Sequence, residues 1–168
     1  MSSTIAVLVK ITARRNLQML DQLLDKAAAH AAAKGFDVGV LLGSRLAPDM
    51  FPLTRQIQLA SDMAKGMAAR LAGQTPPSFE DVETTLAELK ERLARTVAYV
   101  ESVDDAAFDG AGQREVRVPT RVQELVFGGQ DYLVGFALPN FYFHVTAVYL
   151  ILRHNGVELG KRDFLGLN

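Results

Sequence analysis

Residues 139–154 read Pro139-Asn-Phe-Tyr-Phe-His-Val-Thr-Ala-Val-Tyr-Leu-Ile-Leu-Arg-His154 and are followed by Asn155-Gly156. On a wheel of about 100° per residue, Phe141, Val145, Val148 and Leu152 align as a core stripe. Tyr142, Thr146, Tyr149 and Arg153 gather on a polar strip. Phe143, Ala147, Leu150 and His154 make a third side that is again mostly apolar. A helix apolar over this much of its circumference is covered on more than one side. Either a neighbouring hairpin and the tail cover the third side or a second subunit does; the expectation is a homodimer. The apolar window 141–152 is about 12 residues, well short of the ~20 of a membrane span, so no membrane is expected.

Working outward, three more helices share this period. Ser78-Phe-Glu-Asp81 has the form of a capping-box variant, and Phe79, Val82, Leu86, Leu89, Leu93, Val97 and Val100 follow at helical spacing. Glu88–Arg92 and Glu91–Arg95 fall at i,i+4 on its outer side and read as a solvated face. Further back, Pro48-Asp-Met-Phe-Pro52 opens a helix whose stripe is Leu53, Ile57, Ala60, Ala64, Met67 and Leu71, and Gly73 with Gln74-Thr-Pro-Pro77 ends it. The first helix takes its cap from Ser2, Ser3 or Thr4. It runs through Ile5, Val9, Ala13, Leu17, Leu20, Leu24, Ala27 and Ala31, and Gly35 closes it. Residues 38–46 add a helical turn or two. Between the third and fourth long helices the pattern alternates: Gly112-Gln-Arg-Glu-Val-Arg-Val118, a turn at Pro119-Thr120, then Arg121-Val-Gln-Glu-Leu-Val-Phe127. That is a small β-hairpin, which must lean on the helices for stability, and residues 130–137 form another short helix. The expected fold is mainly α: a four-helix bundle, one domain over 1–168, with the hairpin in the crossover.

Composition narrows the function classes. The chain has 168 residues, 49% hydrophobic and 22% charged, with 18 basic against 19 acidic side chains and a net charge of −1. A length near 170 residues supports a sizeable single core. Neither half carries a charged arm, so no nucleic-acid partner is expected. The cysteine count is zero, which removes disulfides, thiolate nucleophiles and sulfur-ligated zinc. Near the N-terminus the apolar run is short and follows no basic region, so the expected location is cytoplasmic.

Neutral-pH acid–base chemistry then rests on His30, His144, His154 and the carboxylates. Asn140 and His144 lie at i,i+4 on the flank of the fourth helix's stripe, and Gln56 flanks the stripe of the second. These three are the polar groups best placed to look into the bundle and line a small-ligand pocket. A neutral His144 imidazole there could serve as general base or metal ligand. A buried histidine satisfied by amides, in a non-catalytic structural or binding dimer, accounts for the same pattern. Asp49 reads as the cap of the second helix or as a carboxylate at the bundle mouth. Arg55 and Asp62 share the opposite face as a surface or interface pair. His30 reads as a surface residue, and His154 suits the negative end of its helix. The glycines at 110, 112, 128 and 129 lack the spacing of a phosphate loop.

Three runs carry a family resemblance: Leu138-Pro-Asn-Phe-Tyr-Phe-His144, Leu152-Arg-His-Asn-Gly-Val-Glu-Leu-Gly-Lys-Arg-Asp-Phe-Leu-Gly166 and Arg45-Leu-Ala-Pro-Asp-Met-Phe-Pro-Leu-Thr-Arg-Gln56. They resemble the bacterial domain-of-unknown-function family numbered nineteen-ninety-three over nearly the whole chain. That family is similar to the DinB/YfiT-like four-helix bundles, many of them dimers and some of them metal-dependent thiol-linked transferases or isomerases. The resemblance implies a divalent metal held by one histidine on the second helix and an H-x-x-x-H pair on the fourth. His144 matches the second histidine of that pair and Asn140 stands in the place of the first. Gln56 or Gln58 occupies the neighbourhood of the second-helix ligand.

Overall fold

The computed structural model describes residues 3–167. Four long helices form a ring: α1 (Thr4–Lys34), α3 (Leu53–Leu71), α4 (Leu86–Ser102) and α6 (Leu138–His154), with the short α2 (Gly39–Leu42) before α3. Helix α3 packs on α6 and α4, and α1 closes the ring against α4 and α6. The buried residues make one contiguous cluster, with Leu17, Leu20 and Leu24 of α1, Ile57 and Met67 of α3, Leu89 and Leu93 of α4, and Phe141 and Val148 of α6. This is the expected mainly-α bundle, with a two-stranded sheet in the crossover.

Local chemistry sets the ends. Ser3 caps α1 through its hydroxyl on the Ala6 amide, and Gly35 closes it in the left-handed region at φ 74°; Ser2, the alternative cap, lies outside the described residues. Two corrections follow for the next helices. Asp49 does not cap α3: it is exposed in the loop, and α3 starts at Leu53 after an extended Pro52 with no side-chain cap. Ser78-Phe-Glu-Asp81 is not the start of α4. The capping box is Thr85 with Glu88, each side chain bonded to the other's backbone, so residues 74–84 form an irregular strap outside the helix.

After two 3₁₀ turns at Asp105–Phe108 and Ala111–Gln113, β1 (Glu115–Pro119) pairs antiparallel with β2 (Glu124–Gly128). Val116 and Val118 point into the core, and Phe127 packs on the Tyr132 and Phe136 rings. Helical structure then runs unbroken through α5 (Gly129–Asp131) and a π segment, Tyr132–Ala137, into α6. Pro139 therefore does not open the last helix. It has no N–H for the turn before it, and the widened π turn absorbs that gap. The joined run Gly129–His154, which the sequence pattern predicts as two separate helices, is long and apolar enough, by length and composition, to cross a membrane. Its stripe of Phe141, Val145, Val148, Ile151 and Leu152 is buried in the bundle. A tail turn, α7 (Lys161–Phe164), docks on α1 through Lys26 and Asp163.

Candidate functional site

The ring order brings α3 against α6, and with it Gln56 against His144. His144 Nδ1 lies 2.8 Å from Gln56 Oε1, across 88 positions of sequence. The Gln56 Nε2 donates to the Phe51 carbonyl at 3.2 Å, which fixes the amide's orientation and leaves Oε1 as an acceptor. Nδ1 must therefore carry the proton. Burial pushes the His144 pKa down first, and the Arg55 cation pushes it further, with Asp62 pulling weakly the other way. The imidazole is thus neutral at pH 7 as the Nδ1–H form, with its lone pair on Nε2. Nε2 has no protein partner, and it is not among the sealed atoms: the one buried, partnerless side-chain nitrogen or oxygen among the described residues is Arg92 Nε. Half-buried His144 therefore holds one nitrogen clamped and one open to solvent.

The other expected pocket residues do not join it. Asn140 turns back on its own helix, donating from Nδ2 to the Phe136 carbonyl at 2.7 Å, within the stretch disturbed by the π segment. Asp49 is exposed in the loop before α3, where Arg45 bonds the flanking Pro48 and Met50 carbonyls. Beside His144 on α6, an apolar hollow of about 330 Å³ is lined by Leu46, Met50, Tyr142, Phe143, Ala147 and Leu150, with Thr146 at its edge. His144 is not part of that lining.

The densest polar cluster lies where the sequence pattern predicts a solvated face. Arg92 is not on a solvated face: its side chain is 0% exposed. Its guanidinium meets Asp62, Asp81 and Glu83, each at 3.0 Å, and also the Glu80 carbonyl at 3.0 Å. Arg55 and Asp62 do not pair with each other. Arg55 bonds Asp81 and Gln58, while Asp62 bonds Lys65 at 2.9 Å. Gln58 donates to Glu83 at 2.9 Å. The Phe79 ring lies 4.3 Å from Lys65 Nζ and 4.0 Å from the Arg95 guanidinium carbon. Burial pushes Glu83 upward, but the bonds from Arg92, its own backbone and Gln58 outweigh it and hold the carboxyl below its usual range. The signal was present: Leu89, Arg92, Leu93, Thr96 and Val100 are the buried set of α4, so Arg92 falls on the buried stripe at i+3 from Leu89.

The chain matches the family model of the domain of unknown function DUF1993 over residues 6–165. It belongs to the DUF1993 family. No curated protein matches it. Among solved structures it is similar to a DinB family member from Shewanella denitrificans, with a TM-score of 0.90 and 44% identity over 96% of this chain and 93% of that one. The DinB-like bundle is thus the fold of this DUF1993 chain.

The site of this DUF1993 chain does not fit the divalent metal that DinB-like bundles imply. Its candidate donors are one imidazole and two amides, and amide oxygens are weak ligands for transition metals beside imidazole or carboxylate. One of those amides, Gln56, already occupies Nδ1, and the other faces away. Among the described residues no three His, Cys, Asp or Glu side chains are grouped to hold an ion. The remaining histidines are elsewhere: His30 packs edge-on against Phe36, and His154 is exposed at the end of α6.

Proposed function

We propose that this DUF1993 chain binds a small molecule at His144 without a metal, through the lone pair on Nε2. The observation that carries the reading is the Nδ1–Gln56 bond of 2.8 Å, with Gln56 itself anchored on Phe51. An imidazole whose far nitrogen is fixed as a donor presents the near one as a pre-oriented acceptor, suited to a ligand O–H or N–H or to taking a proton from it. A depressed pKa supports the same role, since the lone pair stays available at neutral pH. Screening neutral O–H and N–H donors such as phenols and benzamides against ¹⁵N-histidine-labelled protein tests this. The expected result is a shift of the His144 Nε2 resonance by some members, with the Nδ1–H form retained. A set of such probes that perturbs other residues and leaves Nε2 unmoved refutes it.

A second reading is a non-catalytic dimer in which His144 only ties α3 to α6. It is favoured by the outer face of α6, where Phe143 is 58% and Leu150 44% exposed. Both side chains edge the apolar hollow with Met50 and Leu46. A second copy of the chain is the proposed cover for this face. If that is the whole role, His144→Gln keeps the tie to Gln56 and changes neither dimer mass nor stability, and the fragment screen is silent.

A further inference from the structure

Residues 75–83 of the strap make no backbone-to-backbone hydrogen bonds. What holds the strap is almost wholly side-chain chemistry, and its contacts alternate: the side chains of Phe79, Asp81 and Glu83 reach the helices, Asp81 while still exposed, whereas those of Glu80 and Val82 point to solvent. The helices answer with Arg55, Gln58 and Lys65 from α3 and Arg92 and Arg95 from α4. Of the carboxylates touching those cations, Asp62 alone belongs to a helix of this face; Asp81 and Glu83 come from the strap. Stripped of the strap, the face would present Arg55, Lys65, Arg92 and Arg95, with Asp62 on α3 and Glu88 and Glu91 at its α4 edge as the carboxylates left beside them. Buried ion pairs are an inefficient way to stabilise a fold, because desolvation consumes most of the Coulombic gain. Clusters of arginine are, however, an efficient way to recognise acidic segments. The strap also leaves the guanidinium incompletely satisfied: Arg92 Nε is buried without a partner. Arg92 lines a hollow of about 440 Å³ that opens beside it, between Phe79 and Arg95, with Glu80, Glu83, Glu88 and Glu91 also on its wall.

We propose that the basic α3–α4 face is a recognition site for an acidic peptide segment of another protein, of the form Phe-x-Asp-x-Glu, and that the strap fills it in cis as a displaceable mimic. The aromatic seats between Lys65 and Arg95, the first carboxylate bridges Arg55 and Arg92, and the second takes Arg92 with Gln58. A tethered mimic competes at an effective concentration in the millimolar range, so a partner gains access when its own motif is better or the strap is weakened.

The test uses a fluorescent, end-blocked peptide Ser-Phe-Glu-Asp-Val-Glu and anisotropy at low salt. Full-length protein carrying Asp81→Asn with Glu83→Gln, shown folded by circular dichroism, should bind the peptide at least about tenfold more tightly than the unaltered chain. Adding Arg92→Met or raising the salt should abolish the binding. Phe79→Ala, which loosens the strap while keeping every charge, is the second variant should the first not fold. Equal binding by loosened and unaltered chains, or binding that survives Arg92→Met, overturns the proposal. A loosened and folded chain that binds no peptide overturns it as well. None of these outcomes involves His144, so they stand apart from the reading given above.

Discussion

Replacing Arg92 by Met removes the only fully buried guanidinium among the described residues while keeping an unbranched side chain of similar length. Three carboxylates lose a partner at 3.0 Å, but not equally. Asp62 keeps Lys65 and Asp81 keeps Arg55. Glu83, 7% exposed, keeps the neutral Gln58 amide and its own backbone N–H and is left as a buried charge without a cation. Breaking a buried pair in this way costs about 3–5 kcal/mol. The low end, about 3 kcal/mol, is expected here because the strap has no backbone ladder and can swing Glu83 into water. For a chain of this size that is a fall in Tm of about 6–12 °C. The pH dependence is the sharper check. In the native chain Glu83 titrates below its ordinary pKa, so its stabilisation is complete above the unfolded value, about 4.3, and is lost as pH falls through the lower folded value. In the variant an unpaired, buried Glu83 titrates above that ordinary value, and protonation relieves it. Urea unfolding followed by circular dichroism at pH 7 and pH 4 should show the gap between the two proteins narrowing in acid. A loss under about 1 kcal/mol, or a gap independent of pH, would refute the account of Arg92 as the pin of the strap.

Three further outcomes follow from other parts of the fold. NMR titration should place His144 below its usual 6.5, and its contribution to stability, present above pH 6.5, should decline as pH falls below that value; a normal titration would remove the argument for burial and Arg55 as causes. Gly129→Ala should destabilise by about 2–3 kcal/mol in thermal unfolding, because the added Cβ would stand 1.8 Å from the Ala111 carbonyl oxygen where the 3₁₀ turn crosses under the helix; unchanged Tm contradicts that crossing. Phe143→Asp together with Leu150→Asp should leave the fold intact and halve the mass seen by light scattering if α6 carries the dimer interface, whereas an unchanged mass removes that interface.

The bundle was readable because its core positions recur every three or four residues, and Val9, Leu17, Ile57, Met67, Leu93 and Val148 are all buried as the stripes require. The meeting of Gln56 with His144 was readable for the same reason, since both flank stripes that face one another. Two local features were not. Phe79 and Val82 continue the spacing of Leu86 and Leu89, so periodicity alone extends α4 backward over the strap; only Thr85, a better cap with Glu88 three residues on, marks the true start. Arg92 paired with Glu88 at i,i+4 imitates a surface ion pair. Its burial shows in the i+3 spacing from Leu89, but its real partners, Asp62, Asp81 and Glu83, come from another helix and an irregular segment, and no local pattern announces which they are.

The π turn ahead of Pro139 has a consequence for insertion and deletion along this lineage of chains. A single π turn accommodates one residue more than an α turn, and one residue is worth about 100° of rotation. Deleting one residue between Tyr132 and Ala137 would let the turn tighten to an α turn, and the widening there marks where that residue is spent. The facing of α6 would survive that deletion; tightening the same turn with every residue kept would instead rotate everything downstream by that angle relative to the hairpin. Phe141 and Val148 would swing out of the core, and His144 would leave Gln56 for a different neighbour. The facing of α6 is therefore set like the index of a dial by six residues upstream of it, none of which touches His144 through a hydrogen bond.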